Sequence, residues 1–219
     1  MSVDIDNKNF SYKVCLVGPS GVGKTSLFNT MRKTTLYSTY GTPVTTSTIC
    51  PDFEKYRRVY NNLEINVDLW DTAGQERWIS LPMCFFRDMR VAIMCFDITS
   101  LKSAEELTAV WDPKISDDCF KVICACKCDY FEVPKKCEAY QHILRYYRYR
   151  SVSAFFTTSS TTTQGVKELE GHMFDVLLNN SLLYKTVPNK SVNIFLPNYV
   201  PSTNVNRDRE LYNKSCGGC

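Results

Sequence analysis

The sequence predicts a single α/β domain with a doubly wound, mostly parallel six-stranded sheet and helices on both faces. Strand patterns alternate along the chain with amphipathic segments, an order typical of parallel sheets covered by helices. Two strand candidates, 91–96 and 122–126, are continuous apolar runs of the kind found in central parallel strands. A glycine-rich segment, 18–25, separates a first strand candidate, 14–17, from a helix candidate.

The first half of the chain supplies the edge of this sheet. The helix after the glycine-rich segment carries Leu27, Phe28 and Met31 on its apolar face. Residues 34–50 are rich in Thr, Ser, Gly and Pro and are predicted to form a loop. Strand patterns over 53–60 and 63–70 then flank Asn61-Asn62, which predicts an antiparallel hairpin at the edge of the sheet.

The second half continues the alternation. A helix is expected over 103–111, a short strand over 153–157, and two further helices by their apolar spacing. The stripes that define these two helices are Cys137, Tyr140, Leu144 and Tyr147, then Val166, Leu169, Met173, Val176 and Leu177. Asn, Pro and Ser dominate the remainder. We therefore expect an extension over 1–9, a domain over 10–180 and a flexible tail over 181–219.

Composition limits the class of protein. The 219 residues carry 26 Lys and Arg against 23 Asp and Glu, a net charge of +3 that indicates no nucleic-acid partner. The polar start resembles no secretory signal, and no apolar run is long enough to span a membrane. Several of the 11 cysteines lie inside apolar strand patterns, where thiols behave as small hydrophobes. An intracellular protein with reduced thiols is expected.

Residues 18–25 match the phosphate-binding loop pattern G-x-x-x-x-G-K-[ST] in its proper strand–helix context. Glycines let successive N–H groups point into one anion-sized concavity, and the following helix adds its positive end. Lys24 is expected on the β- and γ-phosphates, and the Thr25 hydroxyl on Mg²⁺. The predicted nucleotide-binding residues of this loop are Ser20, Gly21, Val22, Gly23, Lys24, Thr25 and Ser26.

A second motif, Trp70-Asp71-Thr72-Ala73-Gly74-Gln75-Glu76, begins where the second hairpin strand ends. An acid such as Asp71, at the carboxyl end of a strand beside a phosphate loop, can hold Mg²⁺, usually through water. The N–H of Gly74 can sense a γ-phosphate. Gln75 is the candidate catalytic residue, since a glutamine in this place orients the attacking water.

Together these motifs resemble the small GTPases of the Ras superfamily, and further short stretches resemble its Rab family over about residues 10–180. Ile49 to Phe53 resembles that family's Ile-Gly-Val-Asp-Phe, and Phe85 to Met89 its Tyr-Tyr-Arg-Gly-Ala. Similar likenesses extend over 66–70, 77–81 and 96–99. The resemblance implies the P-loop GTPase fold and a GTP/GDP switch in vesicle traffic, with slow Mg²⁺-dependent hydrolysis.

The resemblance also implies roles for individual residues. Thr48 stands where the first switch places its Mg²⁺- and γ-phosphate-sensing threonine. Tyr37 is the expected aromatic cap of the purine. Phe53, Trp70 and Phe86 are expected to form an exposed patch read by effectors, although ordinary core packing of these aromatics is equally consistent with the sequence.

Base recognition departs from the family pattern. The family's Asn-Lys-x-Asp appears as Cys126-Lys127-Cys128-Asp129. Asp129 can still accept bonds from guanine and the stem of Lys127 can cover the base, but a thiol is a weak partner, so we expect lowered affinity. The family's Ser-Ala-Lys loop appears as Ser159-Ser160-Thr161, which retains its backbone contacts and lacks the lysine.

Three other patterns favour structural explanations. A zinc site built on Cys124 and Cys126 is not expected, because their spacing lacks a matched partner pair and alternating strand positions are expected to point to opposite faces. His142 and His172 are expected on solvated helix surfaces. Residues 146–150 mix tyrosine and arginine as an RNA-binding surface does, but a helix end rich in arginine explains them equally well.

The chain ends in Cys216-Gly217-Gly218-Cys219. Two terminal thiols resemble the family's double prenylation site, and two lipids give stable membrane anchoring where one does not. The implied location is the cytoplasmic face of intracellular membranes, in exchange with the cytosol. Implied partners are guanine nucleotides, exchange factors, GTPase-activating proteins, effectors and escort proteins of the GDI type.

Two other functions fit the same sequence. One is a nucleotide-dependent binding module that scarcely hydrolyses GTP and recruits effectors to membranes. It is motivated by Cys126 and by a first switch, between Thr25 and Thr48, that is several residues longer than is usual in the family. The other is a phosphate-loop protein that uses ATP, against which Asp129 argues.

Overall fold

The computed structural model describes residues 9–36, 53–60, 63–72, 87–132 and 136–186. The chain divides into two units, Met1–Lys185 and Thr186–Cys219, and only Thr186 of the second unit lies among the described residues. The strands are β1 Asn9–Val17, β2 Phe53–Tyr60, β3 Leu63–Asp71, β4 Met89–Asp97, β5 Phe120–Cys126 and β6 Ala154–Thr157. The α-helices are α1 Lys24–Leu36, α2 Leu101–Glu106, α3 Glu138–Tyr147 and α4 Val166–Thr186.

The strands form one six-stranded sheet in the order β2-β3-β1-β4-β5-β6. Only β2 pairs antiparallel, with β3, and every other neighbouring pair is parallel. The strand order reverses between β1 and β4. The connections that leave their carboxyl ends therefore run in opposite directions, and the crevice between these connections is where α/β sheets bind ligands. The predicted fold class and the hairpin strands are confirmed; the turn Asn61-Asn62 lies outside the described residues.

Both faces of the sheet are buried, because each central strand sends alternate side chains into two separate cores. Val14 and Leu16 belong to a core that includes residues of α1 and α4. Cys15 and Val17 belong to a second core that includes residues of α2 and α3. Continuous apolar runs in the sequence are the signature of this two-sided burial.

Three helix boundaries differ from the prediction. Helix α1 continues to Leu36, three residues into the predicted loop, because weak helix formers such as Thr34 and Thr35 are tolerated in the last turn of an established helix. Helix α4 runs to Thr186, six residues past the predicted domain end. Helix α2 begins at Leu101, where the Ser100 hydroxyl accepts a bond from the Ser103 N–H.

Two further details of the helices differ. The α2 segment continues as a π-helical turn, Leu107–Trp111, and a 3₁₀ turn, Asp112–Lys114. In α3 the buried face is centred on Ile143 and Tyr147, whereas Leu144, predicted to face the core, is 36% exposed. No helix in the described part of the chain is both long and apolar enough to cross a membrane.

Candidate nucleotide-binding site

The loop between β1 and α1 lies directly against the carboxyl ends of the neighbouring strands. Gly18 has a φ of 141°, and a Cβ there would lie 2.1 Å from the Cys95 carbonyl oxygen on β4. A Cβ at Gly23 would lie 3.6 Å from the Cys126 Cβ on β5. Gly18 therefore has no room for a side chain, whereas Gly23 favours glycine through its positive φ of 108°. The two glycines of the motif therefore fix where the loop lies.

Lys24 is buried within this loop, with 6% of its surface exposed. Its Nζ donates to the carbonyl oxygens of Gly18, at 2.8 Å, and Pro19, at 2.6 Å. Burial lowers the pKa of Lys24, while neighbouring Cys95, Asp71 and Cys126 favour the charged form. The backbone carbonyls of the loop therefore hold the ammonium group at the base of the loop.

The other loop residues differ in exposure. Val22 is buried in the core, whereas Ser20, Gly21, Thr25 and Ser26 are exposed. The N–H of Leu27 donates to the Gly23 carbonyl at 2.9 Å, which starts the helical bonding of α1 immediately after the loop. The exposed backbone and hydroxyl groups at the start of α1 are the arrangement that binds phosphate and its metal ion.

The end of β3 brings Asp71 beside this loop. Asp71 pairs with Leu16 in the parallel register and is 2% exposed. The next residue, Thr72, donates its hydroxyl to the Leu16 carbonyl at 2.6 Å and thereby ties the strand end to β1. Thr72 was not predicted to contribute. Its neighbours in the motif, Gly74 and Gln75, lie outside the described residues.

The end of β5 adds the segment of the base-recognition motif. Lys127 has a left-handed φ of 62° and donates to the Gly21 carbonyl at 3.0 Å and to the Asp97 carboxylate at 2.6 Å. Asp129 is exposed, whereas Cys128 is buried. Lys127 therefore connects the base-recognition segment directly to the phosphate loop.

Sequence reasoning missed Asp97 as the anchor of Lys127. Burial raises the pKa of Asp97, but bonds from Lys127 and Thr99 outweigh burial and lower it below the ordinary value. The backbone N–H and the hydroxyl of Thr99 both bond to this carboxylate, at 2.9 and 2.7 Å. The stretch Phe96-Asp97-Ile98-Thr99 resembles a segment of the family. An acid directly after the predicted strand 91–96 is the feature of the sequence that indicates such an anchor.

The loop after β6 lies beside the same segment. The Cys128 N–H donates to the Thr158 carbonyl at 3.0 Å, and the Ser159 N–H donates to the Gln164 carbonyl at 3.0 Å. Ser159 is fully buried, Ser160 is partly buried and Thr161 is exposed. The Thr30 hydroxyl reaches the Ser160 carbonyl at 3.4 Å, which links this loop to α1.

Cys126 belongs to a buried group of thiols; their prediction as core thiols is confirmed, but the expectation that Cys124 and Cys126 face opposite sides of the sheet is wrong. Residues two apart in a strand point to the same face, so Cys124 and Cys126 lie together, with their Sγ atoms 4.0 Å apart. Cys95 joins them from β4, and the three Sγ atoms lie within 4.8 Å of one another. Bonds from Cys124 and Cys95 lower the pKa of Cys126, whereas the pKa values of Cys95 and Cys124 are raised by bonding within the group.

Both histidines are more enclosed than predicted. His142 Nε2 lies 3.1 Å from the Thr108 hydroxyl, and His172 Nε2 lies 2.9 Å from the Ser153 hydroxyl. In the tyrosine- and arginine-rich stretch, Tyr147 is buried and Arg150 lies 4.0 Å from the Tyr146 ring centroid. Packing at a helix end explains these contacts.

The predicted effector patch is described only in part. Phe53 pairs with Trp70 across the antiparallel hairpin, so their backbones are adjacent. The Trp70 side chain is partly buried against the second core, and Lys13 Nζ lies 5.6 Å from its ring centroid. Phe86, Tyr37, Thr48, Cys216 and Cys219 lie outside the described residues.

Comparisons with known proteins agree with this geometry. The model of the Ras family matches residues 13–179. The Ypt/Rab-type GTPase ypt7 of Pyricularia oryzae is 29% identical over 182 residues, covering 80% of this chain and 84% of the relative. The Ras-related protein Rab-13 of Rattus norvegicus is 32% identical over 163 residues, covering 72% of this chain and 75% of the relative. The chain therefore belongs to the Ras superfamily of small GTPases, as a divergent member of its Rab family.

Proposed function

We propose that this small GTPase is a GTP/GDP switch in membrane traffic that hydrolyses GTP slowly with Mg²⁺. Membership of the family carries the GTPase assignment. One observation of the structure supports a single nucleotide site that joins the base-recognition segment to the phosphate loop. Lys127 Nζ donates to the Gly21 carbonyl at 3.0 Å, so the segment ending in Asp129 and the phosphate loop belong to one connected site.

In this proposal the phosphates lie against the loop amides of residues 20–26 and the Lys24 ammonium. Thr25 and Asp71 fit a magnesium ion, since a hydroxyl and a carboxylate are the hard oxygen donors that it prefers. Asp71 acts through water, and Thr48 completes the set when triphosphate is present. When bound, Mg²⁺ supplies positive charge at the phosphate oxygens.

The purine lies beside residues 126–129. Asp129 accepts bonds from the guanine N1 and N2 groups, the Lys127 stem covers one face of the base, and Tyr37 caps the nucleotide. The backbone of Ser159, Ser160 and Thr161 adds further contacts. Cys126 contributes weakly, because a thiol is a poor hydrogen-bond partner.

Switching depends on the γ-phosphate. It engages Thr48 and the Gly74 N–H, and its loss on hydrolysis releases both segments. Gln75 orients the attacking water. Neither nucleotide motif, 18–26 or 70–76, contains an arginine to stabilise the negative charge of the transition state, so rapid hydrolysis requires an activating protein.

The tail that follows α4, beyond Thr186, joins the domain to a membrane. Prenyl groups on Cys216 and Cys219 provide the two-lipid anchor. Effectors read the patch of Phe53, Trp70 and Phe86. Exchange factors, GTPase-activating proteins and escort proteins of the GDI type complete the cycle between membrane and cytosol.

The test uses purified full-length chain loaded with GTP and Mg²⁺. We expect slow release of phosphate and displacement of bound nucleotide by GDP but not by ADP. Gln75→Ala should retain nucleotide and lose hydrolysis, whereas Lys24→Ala should lose nucleotide. Equal displacement by GDP and ADP contradicts guanine selectivity, and intact GTP after prolonged incubation identifies a binding module instead of an enzyme.

A further inference from the structure

Three buried thiols converge beneath the phosphate loop on one face of the sheet. Cys95 and Cys124 are register partners on the parallel strands β4 and β5, and Cys126 follows on the same face of β5. Their exposed fractions are 0%, 0% and 4%. Among the described residues this is the one group of three or more potential metal ligands, with all Sγ atoms within 4.8 Å of one another.

The spacing suits a tetrahedral thiolate site. Zinc–sulfur bonds of about 2.3 Å at tetrahedral angles place sulfur atoms about 3.8 Å apart. The Sγ atoms of Cys124 and Cys126 are 4.0 Å apart, and all three Sγ atoms lie within 4.8 Å of one another, within about 1 Å of this spacing. The Thr158 hydroxyl lies 3.2 Å from the Cys124 Sγ and can donate a hydrogen bond to that sulfur as a thiolate, which leaves a fourth position for water.

The surrounding charge also suits a divalent ion. Three thiolates around one divalent cation leave a net charge of −1, which an enclosed site tolerates only beside a positive group. Lys24 supplies that group, because it is buried and its Nζ bonds to the carbonyl of Gly18, a residue that lies directly against Cys95. A monovalent ion in the same site would leave a charge of −2.

We propose that Cys95, Cys124 and Cys126 form a binding site for a thiophilic divalent cation, with Zn²⁺ as the natural occupant. Binding forms three metal–sulfur bonds and releases the thiol protons to solvent, with no change in oxidation state. Because the thiols are buried, the ion enters as β4 and β5 pair during folding. The site is structural: the bound ion links β4 to β5, the strands that support the phosphate loop.

The first experiment measures metal content. Full-length chain is produced in zinc-supplemented medium, purified under reducing conditions without chelator and analysed by mass spectrometry of the metal. We expect about one zinc per chain, lost in Cys124→Ala. Cys119→Ala is the matched control, since it removes a thiol that is also buried but packs in the other core. The pair is repeated in a chain with Cys216→Ala and Cys219→Ala, which removes the terminal thiols as an alternative source.

A second measurement does not depend on any variant folding. The wild-type chain is refolded with Cd²⁺ alone, which gives thiolate-to-metal absorption in the ultraviolet. A signal that saturates near one ion per chain and disappears on adding Zn²⁺ supports the site. Absence of this absorption, or equal zinc in wild type and Cys124→Ala, overturns the proposal. Neither result depends on nucleotide binding, so failure here is distinct from failure of the GTPase function.

Discussion

Gly18 and Gly171 differ in backbone conformation and in surroundings, and these differences predict opposite effects of the same substitution. Gly18→Ala places a Cβ 2.1 Å from the Cys95 carbonyl at a φ of 141°. We expect a loss of at least about 2 kcal/mol in the free energy of unfolding, because both the contact and the backbone conformation oppose the side chain. Chemical denaturation of the two variants and the wild type measures this.

Gly171 lies within α4, and a Cβ there would meet nothing within 4 Å. Gly171→Ala should therefore stabilise the protein by roughly 0.5–1 kcal/mol through helix propensity. A wild-type denaturation midpoint for Gly18→Ala would show that the loop is not held against β4 as described.

Cys126 provides a second prediction at the level of one residue, which rests on the proposed nucleotide site. Cys126→Asn replaces a weak thiol by an amide that both donates and accepts; because it also removes a ligand of the proposed metal site, its GDP binding is compared with that of metal-free wild-type protein. One added hydrogen bond is worth about 1 kcal/mol, so the affinity for GDP should rise about fivefold in a competition assay.

The control for this change is Cys126→Ser, which keeps the size of the side chain and adds no amide. Thermal denaturation of both variants establishes that each is folded, since Cys126 is buried. A folded Cys126→Asn variant with unchanged or weaker GDP binding would contradict the assigned role.

Strand β2 and helix α4 are linked by a contact between residues that are far apart in sequence. Arg58 donates to Glu170 at 2.6 Å, and its guanidinium lies 4.2 Å from the Phe174 ring centroid. The Glu170 side chain is only 4% exposed. We expect Glu170→Ala to destabilise the protein by about 2–3 kcal/mol, because it removes one partner of a largely buried ion pair.

A nearby pair that joins β2 to β3 is the natural control. Arg57 bonds to Glu64 at the same distance, 2.6 Å, but the Arg57 side chain is 66% exposed. Arg57→Ala should change the free energy of unfolding by less than about 1 kcal/mol, because water screens exposed pairs. Urea denaturation of both variants, fitted with one shared dependence of the unfolding free energy on urea concentration, compares the two. Equal losses of unfolding free energy in the two variants would contradict the burial argument.

At the level of the whole molecule, stability should fall as pH falls through the range of histidine titration. Burial lowers the pKa of His172 below its ordinary value of 6.5, and Asp175 opposes this shift. Between the lowered and the ordinary pKa, the unfolded chain therefore binds more protons than the folded one, so stability rises with pH. Unfolding measured at several values from neutral to mildly acidic pH tests the slope.

Two variants separate His172 from other titrating groups. His172→Gln should flatten this part of the pH profile. Asp175→Asn should steepen it, because removing the carboxylate lowers the pKa of His172 further. A steeper dependence of stability on pH in His172→Gln would contradict the assigned contribution of His172.

Local patterns were sufficient for much of the fold. The apolar runs 91–96 and 122–126 identified central strands because burial on both faces leaves no polar alternation to obscure them. The hairpin was visible through its two strand patterns. The stripe assigned to α3 was less exact, because Tyr140 and Tyr147 fit several rotations of the helix and only packing selected Ile143 over Leu144.

By itself the sequence determined the class of fold, the phosphate loop and the family, because glycine spacing, lysine position and strand periodicity are local properties of the chain. The tertiary structure alone decided which distant groups meet. Asp97 anchors Lys127, and Cys95 joins Cys124 and Cys126, because the register of β4 against β5 places them together. Register is set by the packing of whole strands, and no segment of the sequence carries that information alone.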